Sequence, residues 1–233
     1  MTKKTISIFF SVIILTVFIA YITIQPEFFD SSEKESEEDA DIVPPVLTVP
    51  YVYEENITSV QPYGVPIKYG EGDFRPHLAV DFAGPNGTLF KASAVGVVGN
   101  LWLVEYGQTY QLNIIINEKY TLHYCFEPFY DMTVEEKLDS IFVRAGDHVE
   151  VNQTIGVLRS QGGASHLDWG LLVKNETSNQ YDRVDPALYM SDQAYENANN
   201  LYHQHPAGPG LEEWPDLCPN RNNEKQEFNA FKI

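Results

Sequence analysis

The sequence predicts a mainly β domain of antiparallel strands, a sandwich or barrel, behind an N-terminal transmembrane helix. Three observations carry this prediction. Between about residues 60 and 175 no helical periodicity is visible. That stretch instead holds short β-rich runs punctuated by glycine: VGVVGNLWLVEY, YQLNIIIN, YTLHYCFEPF, SIFVRAG, QTIGVLR and HLDWGLLV. Strands with turn signals at such spacing form antiparallel sandwiches or barrels. Finally, no charge occurs between Thr5 and Gln25. About twenty apolar-rich residues in a helix span about 30 Å, enough to cross a bilayer.

The segments divide as follows. Residues 1–25 form the anchor. Lys3 and Lys4 are the only basic residues before position 25, which predicts a cytoplasmic N-terminus. The alternative is a cleaved signal peptide, but no small-x-small cleavage site follows and the apolar run is long. In either case residues 30–233 lie outside the cytoplasm, membrane-anchored or, after cleavage, secreted. Residues 26–58 form an acidic and proline-rich linker. EFFDSSEKESEEDADI is rich in acid and poor in apolar residues, and VPPVLTVP continues it as an extended stretch. Residues 59–190 form the β domain, within which TVEEKLDSI reads as a short helix or an ordered loop. Residues 191–233 are a C-terminal extension. ALYMSDQAYENANNLYHQ suits one helix, and the remainder is turn-rich and irregular.

Composition bounds the function. Of 233 residues 43% are hydrophobic, and 13 Phe and 14 Tyr are available to fill a core, so the chain is not a disordered one. The formal net charge of −18 argues against a nucleic-acid partner, because phosphate binding needs Lys and Arg. Asn56, Asn86, Asn152 and Asn175 each begin an Asn-x-Ser/Thr triplet, a glycan acceptor in a host that modifies asparagine. An exported location permits a disulfide between Cys125 and Cys218, but sequence alone leaves their pairing open.

VRAGDHVEVNQTIGVL places two Val-rich arms around Gly146-Asp147, with Gly156 after a polar turn. This hairpin pattern occurs in small barrels of the lipoyl and biotinyl type. Those carry their cofactor on a tip lysine. Here the tip is Glu150-Val151-Asn152, so the carrier function is excluded and the fold clue remains.

The chemistry concentrates in two stretches. In RPHLAVDFAGPNGTLFKA, His77 stands four residues before Asp81. Gly84, Pro85 and Gly87 forbid a helix there. In a strand the two would lie about 13 Å apart at about 3.3 Å per residue, so they converge on one ion only if the chain bends. Otherwise they are a satisfied buried polar pair. In GGASHLDWGLLV, His166 and Asp168 sit two apart, on one face of a strand. Gly162-Gly163 lets that strand begin close to another backbone.

Together, HLAVDFAGPNGTLFKASAVGVV, VRAGDHVEVNQTIGVL, SHLDWGLLV and VDPALYM, in this order, resemble the lysostaphin-type or LytM-like zinc endopeptidases of the duplicated hybrid motif. The resemblance spans about residues 62–188. It implies zinc held by the His and Asp of His-x-x-x-Asp, here His77 and Asp81, although Ala79 replaces a usual glycine. It places the first, catalytic histidine of His-x-His at His166. The third ligand position holds Asp168 instead of histidine. The Tyr-x-His strand aligns with HYC, which puts Cys125 at the other catalytic histidine. Two of five positions therefore depart.

The departures differ in weight. Carboxylate oxygen is an acceptable zinc donor at about 2.0–2.2 Å, but a second carboxylate weakens the ion as a Lewis acid. Cys125 removes a transition-state donor and proton carrier. His123, two residues earlier on the same strand face, is a candidate substitute or a polar wall residue. Two readings stay open: a peptidase acting on peptidoglycan-like envelope peptides, and a degenerate domain that binds or regulates in the envelope. Among the remaining residues, Trp169 is expected in the core, Cys125 as a half-buried structural cysteine, and His203 and His205 as solvated histidines.

Overall fold

A computed structural model describes residues 42–103, 109–128, 132–159, 165–210 and 214–221. The expected transmembrane helix lies outside these residues. Among the described residues no helix is long and apolar enough to cross a membrane.

The fold is mainly β and antiparallel, as expected. Its strands are β1 (Ser59–Gln61), β2 (Pro66–Gly70), β3 (Asp73–Pro76), β4 (Val80–Ala83), β5 (Leu89–Lys91), β6 (Gly96–Leu103), β7 (Tyr110–Ile115), β8 (Tyr120–Glu127), β9 (His148–Val149), β10 (Thr154–Val157), β11 (His166–Lys174) and β12 (Tyr181–Val184). One eight-stranded sheet runs in the order β1-β4-β11-β8-β7-β6-β9, with β12 paired to β11. The strands β2–β3 and β5–β10 form two small separate pairs.

Alternation along the central strands fixes the core. Phe82, Trp169, Tyr124 and Phe126 point to one face and are fully buried. The β5–β10 pair lies across that face. Phe90 meets the edge of Phe126 with ring centres 5.8 Å apart, and the Tyr110 hydroxyl donates to the Val157 carbonyl at 2.7 Å. Gly156 permits this closeness, because a Cβ there would come within 3.0 Å of the Phe126 ring and of the Ser140 carbonyl oxygen.

Two segments differ from expectation. The proline-rich stretch read as linker is laid on the domain from Leu47 onward. The Leu47 amide donates to Tyr189 O at 2.8 Å and Thr48 N to Ser93 O at 2.9 Å, while Tyr51 bridges Phe90. Leu47 and Tyr51 are apolar payloads that bury here, and the extended backbone around prolines suits strand-like pairing. The stretch expected as one C-terminal helix divides. Pro186–Tyr189 is a single 3-10 turn capped by Asp185, and Ser191 then caps α2 (Asp192–Gln204). Each cap accepts a backbone N–H that the start of a helix leaves unpaired. TVEEKLDSI contains helix α1 (Val134–Asp139), started by a reciprocal Thr133–Glu136 capping box. Buried Arg221 donates to the Ala187 and Met190 carbonyls, and its guanidinium lies 4.3 Å from the Tyr195 ring centre, tying the C-terminal segment to α2. Cys125 and Cys218 are both buried and are not joined in a disulfide.

Candidate metal centre

The face of β4, β11 and β8 opposite the core is polar. Asp81 stands directly across from Asp168 in one ladder, and Asp168 across from Cys125 in the next. One row towards the end of the sheet, His166 faces Glu127. One row the other way, Gly170 faces His123. The expected alternation therefore places His123, Cys125, Glu127, His166, Asp168 and Asp81 on one surface.

His77 reaches this surface because the chain bends. Strand β3 ends at Pro76 and β4 begins at Val80. His77 is pinned in the bend by its amide donating to Val65 O at 2.9 Å and its carbonyl accepting from Gly64 N at 2.7 Å. Donor atoms of His77, Asp81 and Asp168 all lie within 4.8 Å of one another. His77 Nε2 is 3.3 Å from Asp81 Oδ1 and 3.6 Å from Asp168 Oδ2. His166 stands at the edge, its Nε2 3.4 Å from Asp81 Oδ2 and 3.5 Å from Glu127 Oε2.

Burial, then Asp168, then Glu127 push the Asp81 carboxyl well above the usual carboxylate range. Burial also pushes Asp168 upward, but contact with His77 and the charges of His77, Arg183 and His123 outweigh it and leave Asp168 below its ordinary value. Of the pair, Asp81 thus holds a proton the more readily and Asp168 a charge. A bound dication would take that proton's place. His77 Nδ1, Asp81 Oδ1 and Asp168 Oδ1 are buried without a hydrogen-bond partner. Such orphaned atoms are costly unless something fills the site. One imidazole and two carboxylates are donors that zinc accepts, so the residues present fit the ion.

The other expected residues are placed as follows. Cys125 is buried, and its Sγ donates to Glu127 Oε1 at 3.5 Å. Burial and the neighbouring Glu127 and Asp168 charges push its thiol far upward, so it stays protonated. His123 is held in the wall, its Nδ1 2.8 Å from Asn113 Oδ1. Burial first, and then Arg183, lower its pKa to about 4. Trp169 is in the core. His203 and His205 are exposed on α2 and just after it, His203 Nε2 3.3 Å from Asp216 Oδ1.

Two residues that the sequence reading passed over belong to this surface. Glu127 was within reach of the alternation argument, two residues beyond Cys125 on the same strand. Arg183, whose Nη1 is 3.7 Å from Asp168 Oδ1, comes from β12 and carries no spacing signal.

No family model matches the chain, and no curated protein matches it. Solved structures do. A zinc-containing peptidase from Vibrio cholerae matches with 23% identity over 60% of this chain and 39% of that chain, at a TM-score of 0.44. Csd3 from Helicobacter pylori matches with 20% identity over 81% of this chain and 43% of that one, at 0.43. The catalytic domain of lysostaphin from Staphylococcus simulans matches with 24% identity over 54% of this chain and 85% of that domain, at 0.38. The match thus spans well under half of the first two proteins.

Proposed function

We propose that this chain is a metal-dependent endopeptidase-like domain of the lysostaphin type. It would work outside the cytoplasm on peptides of the cell envelope, tethered by the apolar segment before residue 25. The observation that carries the reading is the convergence of His77, Asp81 and Asp168 on one point, with three buried orphaned atoms among them. In this reading those residues hold zinc. When bound, the ion supplies Lewis acidity towards a peptide carbonyl. His166, at the edge of the cluster, holds a proton at Nε2 or donates from it towards a developing oxyanion. The envelope peptide follows from the resemblance of the motifs.

A second reading is supported by one specific contact. Where the family's other catalytic histidine is expected, the Cys125 thiol stays protonated against Glu127. A weak S–H donor there makes a module that binds metal and peptide with little or no turnover.

Metal content and turnover test both. The full-length chain should take up one zinc per molecule by equilibrium dialysis, and His77→Ala should abolish it. Hydrolysis of a glycine-rich peptide and of a peptidoglycan stem peptide then separates the two readings. Failure to take up zinc, or uptake undiminished in His77→Ala, would overturn the proposal.

A further inference from the structure

Arg183 stands beside the cluster, facing Asp168. It lies opposite Leu172 in the β11–β12 ladder, so it shares the surface of Gly170 and Asp168. Its backbone is fixed from outside. The Tyr63 hydroxyl donates to the Arg183 carbonyl at 2.9 Å, and the Trp214 indole donates to the Tyr63 carbonyl at 3.2 Å. The guanidinium faces Asp168 Oδ1 at 3.7 Å, beyond hydrogen-bond length. Among the described residues this ion pair is its only polar contact. Its side chain is 35% exposed, and among the described residues no hydrogen bond occupies its five N–H donors.

At Gly170 a Cβ would lie 3.7 Å from the Leu78 carbonyl oxygen, 3.9 Å from His123 Cβ and 4.0 Å from Arg183 Nη1. Such contacts are ordinary ones and Gly170 itself is buried, so the space a ligand can use lies on the exposed side of Arg183. Asn113 Oδ1 accepts from His123 Nδ1, which fixes a neutral His123 with its acceptor at Nε2. Arg183 is therefore the one cation at this end of the surface among the described residues. Asp81, Asp168 and Glu127 would repel an anionic ligand, and a dication among the first two offsets that repulsion. A planar fork in such a place suits a two-oxygen anion.

We infer that Arg183 forms a carboxylate subsite next to the metal cluster, selecting peptides that carry a carboxylate about one residue from the bond presented there. The length follows from reach. The guanidinium lies within one side-chain contact of Asp168, and one extended residue spans about 3.3–3.6 Å. The carboxylate can be a free C-terminus or an acidic side chain. The position of the bond, and the offset of the surrounding carboxylates, rest on the metal reading above; the donor fork of Arg183 does not.

Ligand-observed NMR on the full-length chain tests this with three probes: acetyl-Gly-Gly as free acid, its C-terminal amide, and acetyl-Gly-Glu amide. Each is measured with zinc and with a chelator, and zinc uptake is measured separately. A charge-assisted hydrogen bond contributes about 1.5–3 kcal/mol. The acid should therefore bind about tenfold or more tighter than the amide. Arg183→Gln should erase the difference, and Arg183→Lys should restore only part of it, with zinc uptake retained in both. Acetyl-Gly-Glu amide binding like the acid assigns the subsite to acidic side chains; binding like the amide assigns it to a terminus. Equal binding of acid and amide, a preference that survives Arg183→Gln, or no binding of any probe overturns the inference. An Arg183-dependent preference in a chain that takes up no zinc would leave the subsite standing and remove the metal reading.

Discussion

The two faces of β4, β11 and β8 are built from the same strands, one residue out of step, and they obey opposite rules. On the core face Phe82, Trp169, Tyr124 and Phe126 are fully buried among apolar neighbours. On the other face Asp81, Asp168, Cys125, His123 and His166 are largely withdrawn from water as well. The core face gains stability from every group it buries. The polar face loses stability, because carboxylates stand across from each other and buried atoms lack partners. The proposed function accounts for groups placed at such a cost.

The sharpest way to break this comparison is to change neighbouring residues on opposite faces. Trp169→Ala should cost about 3–5 kcal/mol, the usual loss for a large core side chain, read as a shift in the urea midpoint. Asp81→Asn should leave the stability of the metal-free protein at neutral pH unchanged or higher. It removes a carboxylate that burial, Asp168 and Glu127 all disfavour. The same change should abolish zinc uptake. A large destabilisation by Asp81→Asn would show that the polar face is a structural ion-pair network after all.

His123 sharpens the comparison at intermediate magnitude. In the folded, metal-free protein it stays neutral down to pH about 4, while the unfolded chain binds the proton near pH 6.5. Protons therefore favour unfolding between those values. Stability from this group is fully present above pH 6.5, falls as the pH drops to about 4, and is then level. The loss is about 3 kcal/mol. His123→Gln should flatten that part of the stability–pH curve, measured by urea denaturation at several pH values with chelator present. An unchanged curve would mean that another group titrates there.

How far the sequence discloses this depends on which rule each residue obeys. Alternation alone put His123, Cys125, His166 and Asp168 on shared faces, and Trp169 in the core, because a two-residue period is local. The antiparallel β class was legible for the same reason. The bend at His77 was legible only as a condition, since a strand would have held it about 13 Å from Asp81. Meeting that condition takes backbone bonds to Val65 and Gly64, more than ten residues away. Arg183 was invisible, because only the β11–β12 register brings it beside Asp168. The docking of Leu47 and Tyr51 was masked by prolines and an acidic neighbourhood that read as a spacer. Their backbones pair with Tyr189 and Phe90, and the Tyr51 ring centre lies 5.4 Å from that of Phe82, which no local pattern announces.

The smallest expected effect concerns the polar face's own two departures. Asp168→His restores the ligand set of the family that the motifs resemble and removes one negative charge from the cluster. The ion then retains more Lewis acidity, and zinc affinity should rise by about tenfold, or roughly 1.4 kcal/mol. Arg183 works against this gain, because its guanidinium at 3.7 Å loses the carboxylate it faces and meets an imidazole instead. Zinc competition should therefore show a larger rise in Asp168→His with Arg183→Gln than in Asp168→His alone. Turnover should not follow from either change, since position 125 still offers only a protonated thiol. Cys125→His places an imidazole directly across from position 168 and within reach of Glu127, which now accepts from the thiol. A carboxylate behind an imidazole fixes its tautomer and raises its basicity. Hydrolysis of a glycine-rich peptide should thus appear, or increase most, in the Asp168→His, Cys125→His double variant. Equal zinc affinity in the parent chain and Asp168→His would place residue 168 outside the ion's reach. Strong hydrolysis by the parent chain would show that His166 and the ion suffice without a second imidazole.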